Sequence, residues 1–180
     1  MQEDRDILEL FKVEGHEEEA FNLLVRRYGE KLYWHIRQMV YSHDDADDIL
    51  QMTYLKVWNS LAFFRGASSL YTWLYRIATN ESLSFLKSKR ITSVFSLSSY
   101  SNIMASMVDD DSGFDGDAAQ KKLYRAIAKL PDKQRAVFIM KYMEEMKYEE
   151  ISAIMGVSVG ALKAQYHHAC EKIKKNIEFR

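Results

Sequence analysis

The segment YEEISAIMGVSVGALKAQYHHACEKIKK, Tyr148–Lys175, decides how the chain is read. Ile151, Ile154 and Met155 recur at helical spacing and form the apolar side of a short first helix. Gly156 follows where a tight turn needs a left-handed residue, and Val157 plugs the turn. Ser158 can cap a second helix by accepting from its first free N–H groups. Leu162 and Tyr166 turn that helix back onto the first. This is the layout of a helix-turn-helix. Its second helix would expose Gly160, Ala161, Lys163, Ala164, Gln165, His167 and His168. Small residues near its start allow close backbone approach to a DNA groove. Ser158, Lys163, Gln165 and the histidines then come within reach of phosphates or base edges. The competing reading is an ordinary helical hairpin in a bundle. The basic tail of Lys172, Lys174 and Lys175 favours DNA.

Upstream, two further helical segments are expected at Ala119–Lys129 and Asp132–Glu144, separated by Pro131, the only proline, at a helix start. Before them, Thr92–Asp117 is rich in Ser, Asp and Gly and holds no Lys or Arg. It reads as an acidic, flexible linker. Earlier still, Ala20–Val40 carries Phe21, Leu24, Tyr28, Leu32, Ile36 and Met39 at helical spacing. SHDDADDILQMTYLKVW begins with a capping Ser42 and has aspartates in the first turn, where the helix dipole favours them. Ile49, Met52, Leu55 (or Lys56) and the Phe63 region are expected to continue an apolar side. Phe63–Ser69 reads as a loop punctuated by Gly66, with Ser68 or Ser69 capping the next helix.

That next helix, SSLYTWLYRIATNESLSFLKSK (Ser68–Lys89), has two sides. Leu70, Leu74, Ile77, Ala78 and Phe85 form the core side, flanked by Tyr71 and Tyr75 against a neighbouring helix. Thr72, Arg76, Thr79, Asn80, Lys87 and Arg90 share the other side, with Trp73 at its border. A basic stripe edged by one indole suits unstacked nucleic acid; the plainer alternative is a solvated helix face.

The net charge of −1 conceals a block pattern. Residues 1–48 hold six Lys/Arg against thirteen Asp/Glu, and residues 49–92 hold six against one. Residues 93–118 hold none against five, and residues 119–180 hold thirteen against seven. Two separated basic surfaces suit a polyanion gripped at two places. One proline and seven glycines argue for helices rather than a turn-rich β fold. Cys170 is the only cysteine, which excludes an intrachain disulfide. The acidic N-terminus lacks a signal-peptide core, and no apolar run is long enough to cross a bilayer. A cytoplasmic chain without membrane insertion is expected.

Together the two halves resemble a bacterial RNA polymerase sigma factor of the extracytoplasmic-function branch of the sigma-70 family. DADDILQMTYLKVW resembles the family's region 2.2, and FRGASSLYTWLYRIATNESLSFLKSKR resembles regions 2.3 and 2.4. LPDKQRAVFIMKYMEEMKYEEISAIMGVSVGALKAQYHHACEKI resembles region 4. The resemblance implies an all-α protein with a region 2 domain over residues 1–91, a flexible acidic linker over 92–118 and a region 4 domain over 119–180. It implies a non-enzymatic initiation factor, without cofactor or metal. Asp44, Asp48, Gln51 and Leu55 resemble the surface that binds the β′ clamp helices of core polymerase. Arg65, Gly66, Ala67, Ser68 and Ser69 resemble the loop that pockets a flipped −10 base, and Trp73, Arg76 and Asn80 match promoter-facing positions. Region 4 would sit on the β flap and read the −35 element with the helix-turn-helix residues named above. Many relatives are held by an anti-sigma factor, so such a partner is also implied.

Departures from the family pattern carry expectations too. Met52 stands where the family usually has Glu, which weakens one clamp contact. Gln165, His168, Cys170 and Glu171 replace frequent Arg or Lys, which predicts a shallower salt dependence. Three other readings compete. HDDADD resembles an aspartate-rich motif of metal-dependent prenyl-chain enzymes, but those need a large cavity and a second acidic cluster. His167, His168 and Cys170 could ligate a metal, but neighbours on a helix splay apart and no fourth ligand is evident. A stand-alone helix-turn-helix regulator would leave the N-terminal half without a role.

Overall fold

The computed structural model describes residues 2–92, 104–105 and 118–178, and the chain is all-helical over them. The acidic N-terminus, which suggested no element by pattern, forms α1 (Gln2–Leu10). It is fastened to α2 (Glu17–Val40) by Asp4, which accepts from the Tyr28 hydroxyl at 2.6 Å and pairs with Arg27 at 3.1 Å. Burial and this carboxylate push the Tyr28 phenol up to about 12. Helix α2 buries Leu24, Tyr28, Leu32, Ile36 and Met39, spaced three or four residues apart. It ends at Tyr41, a left-handed residue whose N–H returns to Arg37 O at 2.9 Å.

Ser42 starts α3 (His43–Leu61), its Oγ accepting from Asp45 N at 3.2 Å. The buried side of α3 is Ala46, Ile49, Thr53, Val57 and Leu61. This corrects the expected apolar side. Met52 is 49%, Leu55 57% and Phe63 77% exposed. The i, i+4 row from Ile49 sits on the core, and Met52 and Leu55 lie on the adjacent face. Helix α4 (Leu70–Thr92) is capped by Ser69, whose Oγ accepts from Thr72 N at 3.1 Å.

In the second half, α5 (Ala118–Ala128) is followed by α6 (Asp132–Phe138). The expected single helix over Asp132–Glu144 instead changes pitch: α6 runs into a π-helical turn, Ile139–Met143. Helices α7 (Tyr148–Met155) and α8 (Val159–Glu178) form the helix-turn-helix. Gly156 joins them with φ +66°, and Ser158 Oγ accepts from Ala161 N at 3.3 Å. Leu162 is fully buried, and Tyr166 stacks on Phe138 at 5.7 Å.

The two halves do not stand apart. One hydrophobic cluster contains Leu24, Leu32, Leu74 and Leu86 together with Ala136, Ile139, Met140, Ile151 and Leu162. A smaller cluster of Ile127, Leu130, Phe138, Ala169 and Ile173 holds α5, α6 and α8 together. The linker expected at 92–118 lies outside the described residues except at its ends and at Met104 and Ala105, which are buried in the shared cluster.

Candidate nucleic-acid and protein interfaces

On α3, residues Asp44, Asp48, Gln51 and Leu55 are all exposed along one face, as their spacing requires. Asp48, Gln51 and Leu55 open onto a groove of about 530 Å³ between α3 and α4, which Met52, Glu81 and Phe85 also line. Neighbouring acids are occupied internally: Glu81 pairs with Lys56, Asp45 with Lys89 at 3.2 Å, and Asp47 with His43 at 3.4 Å. Asp44 and Asp48 make no ion pair among the described residues. The result is an apolar groove with unpaired carboxylates at its edge, which fits a partner helix carrying aliphatic and basic side chains.

The loop after α3 presents Arg65, Gly66, Ala67 and Ser69 to solvent, with Ser68 half-buried. Gly66 has φ +70°, a conformation that an L side chain would strain. Trp73 is half-buried with its ring 5.2 Å from Phe64. Asn80 and Lys87 are exposed.

The rest of the expected polar side of α4 is placed differently. Thr72 and Thr79 are buried. The Arg76 guanidinium donates through Nε and Nη2 to Ala153 O, at 3.0 and 2.5 Å. Arg90 is ion-paired with Asp132. Thr79 is covered by His35 of α2 and Thr72 is bonded to Ser69, while α7 packs against α4 beside Arg76, which itself stays exposed. Tyr71 and Tyr75 do lie against α2, with Tyr71 6.4 Å from the Tyr28 ring and the Tyr75 hydroxyl donating to Lys31 O. Burial raises the pKa of both phenols.

On the helix-turn-helix, Ser158 just before α8 and Gly160, Ala161, Lys163, Ala164, His167 and His168 on it are exposed. Gln165 is half-buried, with its Oε1 enclosed and away from that surface. Lys163 and Lys141 flank the Tyr148 ring, at 5.8 and 5.0 Å from its centroid. The ring thereby holds two cations beside the start of the second helix. No group of three or more His, Cys, Asp or Glu among the described residues could hold a metal. No helix among them is long and apolar enough to cross a membrane.

Several residues that organise these surfaces escaped the sequence reading. His35 is fully buried between Thr79 and Glu144, and Arg135 is buried at the turn between α5 and α6. A histidine between Leu32 and Ile36 on an apolar stripe is the visible signal for the first. Its partner Glu144 lies 109 residues away, and nothing local points to it.

Comparisons with known proteins agree with this geometry. The family model for Sigma-70 region 2 matches residues 24–91, and that for Sigma-70, region 4 matches residues 120–173. The ECF RNA polymerase sigma factor SigW of Bacillus subtilis is 28% identical over 174 residues, covering 92% of this chain and 93% of SigW. The ECF RNA polymerase sigma-E factor of Escherichia coli is 29% identical over 182 residues, covering 93% and 91%. CnrH, solved in complex with the cytosolic domain of CnrY, superposes with a TM-score of 0.69 at 21% identity over 98% of this chain and 97% of CnrH. The sigma factor RpoE of Bartonella quintana, solved with the anti-sigma factor NepR, superposes at 0.65 and 21% identity, over 88% and 96%. With both regions matched in order and relatives aligned over nearly their whole length, the chain belongs to the sigma-70 family, in its extracytoplasmic-function branch.

Proposed function

We propose that this chain binds core RNA polymerase as a sigma factor and directs promoter-specific transcription initiation. The observation that carries the reading is the pairing, on one region 2 unit, of the exposed Asp44–Leu55 row with the Arg65–Ser69 loop and the Trp73–Asn80 face, followed by a helix-turn-helix. Asp44 and Asp48 meet basic residues of the β′ clamp helices, and Leu55 enters an apolar site between them. The loop and α4 take the opened −10 strand. Helix α8 reads the −35 duplex while its domain sits on the β flap. Residues 1–91 and 119–180 act as the two grips and 92–118 as the tether, so that modest contacts add through one chain. The work is binding rather than catalysis and takes place where polymerase is, in the cytoplasm. An anti-sigma factor is a fitting inhibitor, since CnrH and RpoE were each solved with a protein partner.

Run-off transcription with core polymerase on sheared genomic DNA, read by 5′-end sequencing, tests the reading. New start sites sharing two upstream elements are expected only when the protein is present. Specific duplex retention by the protein alone, with no polymerase-dependent starts, would instead identify a stand-alone helix-turn-helix regulator.

Lys163→Ala gives a finer test of α8. In holoenzyme binding to promoter duplex, the slope of log affinity against log salt is expected to fall by about 1, with similar losses on all promoters. An unchanged slope removes Lys163 from the phosphate contacts.

A further inference from the structure

A cavity of about 180 Å³ lies between α5 and the end of α8, lined by Ala118, Lys122, Arg125, Ala126, Lys129 and Asn176. Lys122, Arg125 and Lys129 are three and four residues apart, so they stand in one row along α5, with Lys129 just past its last turn. All three are half-buried, and α5 contains no Asp or Glu. Like charges at these spacings repel each other, and partial burial keeps solvent from screening them fully. The carboxylates nearest in sequence are engaged elsewhere: Asp132 with Arg90 and Arg135, and Glu171 with Lys174. Lys122 and Lys129 make no ion pair among the described residues.

Other cavities of the chain are built differently. The groove between α3 and α4 is edged by Asp48 and Glu81, and the one between α1 and α2 by Asp6, whereas this wall holds no carboxylate. Asn176 joins the row from α8 with an amide that can donate or accept. Lys163, near the other end of α8, is about 20 Å away along the helix axis. The cavity therefore lies apart from the surface assigned to DNA, and it is too small for a duplex or a partner helix. The row itself runs roughly 10 Å along α5, longer than one phosphate group and matched by two or three linked ones.

We propose that this cavity is a binding site for an oligophosphate, two or three linked phosphate groups either free or carried by a nucleotide. Lys122 and Lys129 hold its ends and Arg125 its middle, through charge-assisted hydrogen bonds. Asn176 adds a neutral hydrogen bond from α8. The bound anion relieves the repulsion along the row and ties α5 to the end of α8, beside the cluster of Ile127 and Ile173. The second half of the chain thereby gains a small-molecule input that does not depend on how the chain binds DNA.

Calorimetric titration of the full-length protein with inorganic pyrophosphate tests this, in buffer free of phosphate and divalent cations. One site per chain is expected. Inorganic phosphate, which reaches only part of the row, is expected to bind about tenfold more weakly. Lys122→Ala and Lys129→Ala should each weaken pyrophosphate about tenfold, the scale of one lost hydrogen bond to a charged group. Lys12→Ala removes the same charge from an exposed site in the first half and is expected to stay within about twofold. Circular dichroism checks the fold, and Lys122→Gln and Lys129→Gln replace any alanine variant that does not fold. ADP, carrying the same diphosphate, separates the two sources: tighter binding than pyrophosphate assigns the site to a nucleotide, and equal or weaker binding assigns it to the free anion. Absence of pyrophosphate binding at millimolar concentration overturns the site. So does a loss in Lys12→Ala equal to that in Lys122→Ala, which would be attraction by net charge alone. Pyrophosphate that binds only once Asp109, Asp110 and Asp111 are changed to Asn also overturns it, because the chain's own acidic stretch would then be the occupant.

Discussion

Leu55→Asp is expected to lower affinity for core polymerase about a hundredfold, or ~3 kcal/mol, without unfolding the protein. Leu55 is 57% exposed on α3, so its own core loses little when it changes. It borders the groove shared with Asp48, Met52 and Phe85, where an apolar anchor would be desolvated by the partner. Aspartate there puts a third carboxylate beside Asp48 and Glu81 and brings an unpaired charge into the contact. A titration of labelled protein with core polymerase reads the loss directly, and circular dichroism checks the fold. A change below about threefold would move the polymerase contact off this face. Met52 lines the same groove.

Arg135→Ala should lower stability by about 3–5 kcal/mol, the range for breaking a buried ionic contact from one side. Arg135 is 1% exposed, and its Nη1 donates to Ala128 O at 3.0 Å and Leu130 O at 3.5 Å. Its Nη2 meets Asp132 at 3.0 Å, and Asp132 also takes Arg90 from the first half. Removing the guanidinium leaves two buried carbonyls at the end of α5 without this donor and opens a cavity inside the turn. At about 2–4 °C per kcal/mol for a chain of this size, the midpoint of thermal unfolding drops by roughly 10 °C. Arg135→Lys should recover only part of the loss, because an ammonium cannot reach the carbonyls and Asp132 together. A loss under 1 kcal/mol would mean that the turn is held by apolar packing alone.

Tyr41 marks the same junction from the other side. It closes α2, is wholly buried, and lies close enough to Arg37, Tyr124 and Arg135 to feel their charges, while burial pushes its phenol well above the ordinary range. Burial also lowers the Arg37 pKa. Two arginines and a tyrosine buried where the halves meet make this junction costly to form imperfectly.

The sequence by itself determined whatever depends on neighbours within a few residues. Helical spacing located α2, α3, α4, α7 and α8 to within a few residues. Ser42, Ser158 and Gly156 announced their caps and turn through chemistry that acts over three or four positions. The row Asp44, Asp48, Gln51 and Leu55 was readable because a helix repeats every 3.6 residues. Helix α1 escaped because its apolar residues are few and its anchor, Asp4 to Tyr28, spans 24 residues. The tertiary structure alone decided which of two possible sides of α4 is covered. By pattern, Thr72, Arg76 and Thr79 belong to a polar face. In the fold Thr79 is taken by His35 and Arg76 reaches Ala153 O, neither of which lies nearby in sequence. Met52 and Leu55 moved the opposite way, from expected core to open groove. Periodicity records that a helix has two faces, but what lies against each face is set by chain segments tens of residues away, and only packing in three dimensions brings them together.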